Sequence, residues 1–184
     1  MSRNLSDYFT IISTVALHIQ INDYNIEAPN AAKTLAMVNL VKDLKNRGIP
    51  IDGVGIQGHL IVGALPAGIQ TTLENFAALG VEVAFTELDI RMNLPATQAQ
   101  LNQQQKDYQT VAAACRNVSK CVGMTTWGFT DAHSWIPGTN FLSTSFSNLL
   151  TRKKGTFSGT GAALPWDQNY NKKPAYNGII AGLQ

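Results

Sequence analysis

Two carboxylates close the stretch Gly80-Val-Glu-Val-Ala-Phe-Thr-Glu-Leu-Asp-Ile90: Glu87 and Asp89, two residues apart. Val81, Val83 and Phe85 alternate with Glu82, Ala84 and Thr86, as a single strand would. In a strand, residues i and i+2 point to one side, so the two acids share a face. An acidic pair at the tip of a buried strand is costly to desolvate, and a fold keeps it mainly where the charge is used. The bland alternative is a solvated strand end. Gln57 and His59 form a second pair at i, i+2 spacing.

The elements that must position these residues follow from the periodicity. Val15, Leu17, Ile19 and Ile21 alternate with Ala16, His18, Gln20 and Asn22, which predicts a strand with Asn22-Asp-Tyr-Asn25 at its tip. Leu35, Val38, Val41 and Leu44 predict a helix over Ala31–Arg47, stopped by Gly48 and Pro50. Asp52–His59 reads as the next strand, and Pro66 as the first position of a helix buried through Ile69, Leu73, Phe76 and Ala77. Thr97 or a neighbour caps a helix carrying Leu101, Tyr108, Val111, Ala112 and Cys115. Val122–Thr130 reads as a strand and Pro174–Leu183 as a last helix. A strand followed by a helix, repeated, predicts an α/β fold with a parallel sheet.

The totals narrow the classes. The chain has 184 residues, is 45% hydrophobic and 14% charged, and carries a net charge of +2, which fits one packed domain. Its basic residues form pairs such as Lys153-Lys154 and Lys172-Lys173, not a stripe, which argues against a nucleic-acid partner. No apolar run reaches the roughly 18 residues that span a bilayer. Arg3 before the apolar run Phe9–Leu17 hints at a secretory signal, but no small-residue cleavage site follows. Gly53-Val-Gly-Ile-Gln-Gly58 matches a dinucleotide fingerprint, yet no helix is expected directly after it, where the pyrophosphate would sit. No motif implies a cofactor or a metal. Cys115 and Cys121 allow a disulfide, part of a metal site or two thiols, and Asn117-Val-Ser119 between them is an N-glycosylation triplet.

Gly80–Ile90 resembles the active-site strand of glycoside hydrolase family 10, the endo-1,4-beta-xylanases. So do Ile21-Asn-Asp-Tyr-Asn25, Gly55-Ile-Gln-Gly-His59, Thr126-Trp-Gly128 and Trp166-Asp-Gln-Asn-Tyr-Asn-Lys-Lys-Pro-Ala-Tyr176, in the family's order and closest to its fungal members. The resemblance implies a (β/α)8 barrel, which needs about 250 residues. Four strand-helix units match its units five to eight, so the expectation is a partial barrel over residues 15–184. Residues 1–14 are atypical. An insert at 140–155, lying between two Gly-Thr pairs, reads either as translated intron sequence or as a natural loop. Half a barrel would expose strand edges that invite self-association.

The resemblance also implies roles. Glu87 would be the nucleophile of a retaining hydrolase acting on internal xylosidic bonds, with His59 and Asp89 supporting it. Gln57, Trp127, Trp135, Asn22 and Tyr24 would contact xylan, Cys115 and Cys121 would form a disulfide, and the protein would be secreted. Trp166 reads as packing. The family's acid/base glutamate follows an Asn, and Glu27, Glu74 and Glu82 do not. Since general acid–base catalysis supplies roughly 10²–10⁴-fold, weak or no xylanase activity is expected of these residues alone. The alternatives are a non-catalytic xylan-binding remnant and an incomplete version of a longer xylanase.

Overall fold

The structure is a computed structural model describing residues 18–136 and 157–184. The atypical start at 1–14 and the insert at 140–155 lie outside the described residues. In chain order the elements are β1 (Gln20–Asp23), α1 (Ala32–Asn46), β2 (Gly53–Ile56), β3 (His59–Ile61), α2 (Ile69–Ala77), β4 (Glu82–Asn93), α3 (Gln98–Asn117), β5 (Cys121–Thr126), β6 (Thr160–Gly161) and α4 (Pro174–Leu183). They divide into two compact units, and β4 contributes its residues up to Glu87 to the first and those from Leu88 to the second.

The first unit carries β1, β2 and the start of β4 side by side and parallel. Asn22 pairs with Gly55, and Gly55 with Ala84. Val81, Val83 and Phe85 are buried while Glu82, Ala84 and Thr86 are half-buried, the alternation read from the sequence. Helix α1 turns differently from expectation. It buries Thr34, Met37 and Val41, while Leu35 is 47% exposed. A strict three-residue spacing falls about 60° behind at each step of a 3.6-residue helix, so Leu35 and Leu44 cannot share a face. Pro66 is not the first residue of α2. That helix begins at Ile69, after Gly68 in the left-handed region. A Cβ at Gly68 would lie 2.9 Å from the Pro29 ring.

The strand expected over Asp52–His59 is two strands. It breaks at Gln57-Gly58, where Gly58 has φ +78° and donates its N–H to the buried Glu27 carboxylate at 3.2 Å. The i, i+2 argument for Gln57 and His59 therefore does not cross this break. Cys115 and Cys121 form the expected disulfide.

In the second unit, β3 pairs parallel with β4, His59 opposite Asp89, and β6 pairs antiparallel with its end. Helix α3 opens with a reciprocal cap. Gln100 N–H donates to Thr97 Oγ1 at 3.3 Å, and Thr97 N–H donates to Gln100 Oε1 at 2.9 Å. Its buried donors are answered: Gln104 Nε2 donates to the carbonyls of Ile90 and Ala162, and Tyr108 Oη to that of Ala163, while Gln104 Oε1 has no partner among the described residues. Pro174 starts α4 as expected. Gly178 and Gly182 let α4 approach α3 closely, since a Cβ at either would run into the carbonyl oxygen of Gln105 or Gln109.

Lys173 anchors the entry to α4. Its ammonium bonds Asp131 at 2.8 Å and the carbonyls of Ala162 and Leu164 at 2.6 and 2.8 Å. Burial lowers the Lys173 pKa despite the opposing pull of Asp131. Burial likewise raises that of Asp131 against Lys173.

Candidate active site

Around Glu87 the first unit builds a small polar cluster. Asn22 ends its side chain between two β4 residues: its Nδ2 donates to Glu87 Oε1 at 3.2 Å, and its Oδ1 accepts from Thr86 Oγ1 at 2.6 Å. Asn22 stands on β1 and Thr86 on β4, with β2 between them. The reach is possible because the intervening residue is Gly55. A Cβ there would sit 2.6 Å from Asn22 Oδ1 and 2.9 Å from Thr86 Cγ2. A glycine inside a strand marks close approach over its face, and here what approaches is a side chain crossing the strand. Glu87 N–H donates to Gln57 O at 3.0 Å, tying the break after β2 to the middle of β4, which runs on to Asn93 instead of ending at the acidic pair as expected. Glu87 is half-buried, so its carboxylate is not sealed in apolar surroundings.

Tyr24 is exposed, and the Lys33 ammonium lies 3.7 Å from its ring centre. Lys33 also bonds Asp23 at 2.7 Å. Burial pushes the Asp23 carboxyl up, but the Lys33 hydrogen bond, the Tyr24 N–H and the Lys33 charge together bring it below its ordinary value.

The second unit gathers the other four candidates. Asp89 is fully buried. Its Oδ2 accepts from Trp135 Nε1 at 2.7 Å and from His59 Nδ1 at 3.0 Å. With Nδ1–H donating, the imidazole is held in one orientation. Asp89 Oδ1 has no hydrogen-bond partner among the described residues. His59 is sandwiched near two indoles, 4.8 Å from Trp135 and edge-on to Trp127 at 6.5 Å. Both tryptophans keep 45% of their surface exposed. A partly exposed indole suits a sugar, whose C–H face packs on the ring while hydroxyls reach polar neighbours. A cavity of about 310 Å³ elsewhere in this unit, lined by residues including Leu94, Leu101, Asp131 and Lys173, includes none of these four.

Sequence reasoning missed Thr86, Gly55 and Glu27 as parts of this arrangement. The alternate glycines Gly53 and Gly55 were the available signal for the first two. Glu27, set aside because it does not follow an Asn, is 5% exposed and holds Gly58, the residue before His59. Glu74 is exposed on α2, and Glu82 stands at the first position of β4, five residues before Glu87.

Residues 13–182 match the profile of glycosyl hydrolase family 10. An endo-1,4-beta-xylanase of Agaricus bisporus is 54% identical over 164 residues, which are 89% of this chain and 44% of that protein. Endo-1,4-beta-xylanase C of Phanerodontia chrysosporium is 53% identical over 90% of this chain and 37% of its own length. The chain thus spans less than half the length of these curated relatives. Among solved structures, a glycosylated endo-beta-1,4-xylanase from Gloeophyllum trabeum superposes with a TM-score of 0.81 at 41% identity, over 97% of this chain and 51% of that one. A xylanase from Bispora sp. MEY-1 with xylobiose gives 0.81 at 36% identity over 95% and 50%. The fold is accordingly α/β, part of a (β/α)8 barrel, as the strand-helix repeat and the resemblance had implied.

Proposed function

This chain belongs to glycosyl hydrolase family 10, and on that premise we propose that it carries the nucleophile half of a retaining endo-1,4-beta-xylanase site. The observation that carries the reading is the half-buried Glu87 held by Asn22 midway along β4. In a retaining hydrolase one carboxylate attacks the anomeric carbon, displaces the leaving sugar and forms a glycosyl ester. A second carboxyl about 5–5.5 Å away protonates the leaving oxygen and then deprotonates the water that cleaves the ester. Glu87 takes the first role. The Asn22 amide fixes the plane of its carboxylate, and Thr86 fixes Asn22. Asp89 locks the imidazole of His59 and the indole of Trp135 through one shared oxygen. Trp127 and Trp135 offer faces to the xylose rings, with Gln57 and Tyr24 as further contacts.

The second role has no candidate among the glutamates of these 184 residues. This favours a subsidiary reading, in which the 184-residue polypeptide binds xylan with little turnover. Extracellular action is part of the proposal. The disulfide fits an oxidising compartment, and among the described residues no helix is long and apolar enough to cross a membrane.

The test uses a 2,4-dinitrophenyl β-xylobioside, whose leaving group needs no protonation. The expected result is release of one equivalent of dinitrophenol, then slow turnover that azide accelerates by intercepting the ester. With the 2-deoxy-2-fluoro analogue, peptide mass analysis should find the sugar on Glu87, and Glu87→Gln should abolish both signals. Labelling of another residue would sink the assignment. Titration with xylo-oligosaccharides that gives heat without any burst would establish the binding-only reading instead.

A further inference from the structure

Helix α3 ends at Asn117, and the turn Val118-Ser119-Lys120 leads from it into β5. Asn117 and Ser119 are both exposed, while Val118 between them is only 6% exposed and pins the turn. The Asn117 amide makes a surface hydrogen bond, Nδ2 to Gln70 Oε1 at 3.2 Å. Cys115 and Cys121 close a disulfide around the turn, which marks a chain built for an oxidising compartment. Sequence, exposure and redox context therefore meet at one side chain.

We propose that Asn117 is an acceptor for an N-linked oligosaccharide, attached before the Cys115–Cys121 disulfide forms. The donor is an oligosaccharide carried on a lipid diphosphate. Asn117 Nδ2 attacks C1 of the first sugar, a C1–N bond forms, and the C1–O bond to the diphosphate breaks. The lipid diphosphate leaves with the electron pair, and Nδ2 gives up one of its two protons, which ends on the departing diphosphate. The remaining N–H still serves as a donor to Gln70.

The order of events comes from the geometry of the finished turn. Val118 N–H bonds Cys115 O at 3.1 Å, and Cys121 N–H bonds Val118 O at 2.8 Å. With the disulfide closed, these bonds hold the triplet in a tight, helix-ending conformation. An enzyme that must seat Asn and Ser together in an extended groove meets the open chain more readily. The location leaves catalysis undisturbed. Val83 N–H bonds Lys120 O at 2.9 Å, so the turn lies beside the start of β4, about 13 Å along the strand from Glu87 at ~3.3 Å per residue.

A second triplet, Asn4-Leu5-Ser6, stands outside the described residues, so the test is run in an Asn4→Gln background. The full chain with an endoplasmic-reticulum leader is translated in the presence of microsomes, which reads modification whether or not the product folds. One shifted band is expected, collapsed by peptide-N-glycosidase and absent in Ser119→Ala. Deglycosylation in heavy-oxygen water should place the label at residue 117. Ser replacement of Cys115 and Cys121 should raise occupancy at least two-fold. An unshifted parent chain overturns the site, and equal occupancy in the cysteine variant overturns the order of events.

Discussion

Substituting Gly55 by Ala adds one methyl group over which Asn22 must pass. The backbone at 55 is not in the left-handed region, so alanine is not strained there, and the effect is steric. The new Cβ would meet Asn22 Oδ1 at 2.6 Å and Thr86 Cγ2 at 2.9 Å. Crowding of this kind costs about 1–3 kcal/mol. The broken bond between Thr86 and Asn22 adds about 0.5–1.5 kcal/mol. Against these, a stiffer unfolded chain returns about 0.4–1 kcal/mol. The net expectation is a loss of about 0.5–4 kcal/mol, centred near 2. Asn22→Ala alone should cost about 1–2 kcal/mol, since it loses its bonds to both Thr86 and Glu87. In the double variant the obstacle at Oδ1 is gone, and only the rotatable Thr86 methyl remains in the way. Urea unfolding of the four proteins should therefore show a coupling of about 1 kcal/mol or more between positions 22 and 55. Either single variant should also slow the labelling of Glu87 by the fluoro-sugar. Additivity within about 0.5 kcal/mol would refute the claim that Gly55 is glycine for the sake of Asn22.

Gly178→Ala pushes a methyl into the Gln105 carbonyl and should lower stability by about 1–3 kcal/mol, read as a shift of the urea midpoint, whereas the exposed Ile180→Ala should move it little. Opening the Cys115–Cys121 loop, of sequence separation 6, with a double serine variant should cost about 2 kcal/mol and lower the melting temperature under non-reducing conditions. Asp89→Asn places an amide where Oδ1 lacks a partner among the described residues. Burying that donor should cost about 1–3 kcal/mol, read as a shift of the urea midpoint, while the oxygen kept at the Oδ2 position still accepts from Trp135, so the near-ultraviolet circular dichroism should change little. Asp167 accepts from the backbone of Asn171, then from the Asn171 side chain and the Asn169 N–H, and these bonds set its pKa below the ordinary 3.8. A lowered folded-state value means the loop's support is present above 3.8 and lost as pH falls through the folded value. Amide exchange at Asn169 and Asn171 should accelerate there, and Asp167→Asn should remove the pH dependence.

The chemistry-bearing strand was legible because its alternation and its acids fall within one uninterrupted element, Glu82–Asn93. The helices capped by Thr97 and started by Pro174 were legible for the same local reason: a capping pair and a proline act on their own neighbours. What did not show was set by partners far along the chain. The break at Gln57-Gly58 depends on Glu27, thirty-one residues earlier. The rotation of α1 depends on what Thr34, Met37 and Val41 bury against, and apolar spacing at threes mimicked a stripe that a helix cannot hold. In the sequence Lys173 is only one half of a basic pair, and its burial among two carbonyls and Asp131 could not be read from composition.

That lysine stands beside a neighbour of opposite character. Lys172 is exposed and rests 4.0 Å over the Tyr176 ring, whereas the Lys173 amine is enclosed. An acylating reagent applied to the native protein would mark the first and spare the second, although they are adjacent in the chain. The pair is thus a built-in gauge of local integrity: acyl groups on residue 173 would report that the turn into the last helix had come undone.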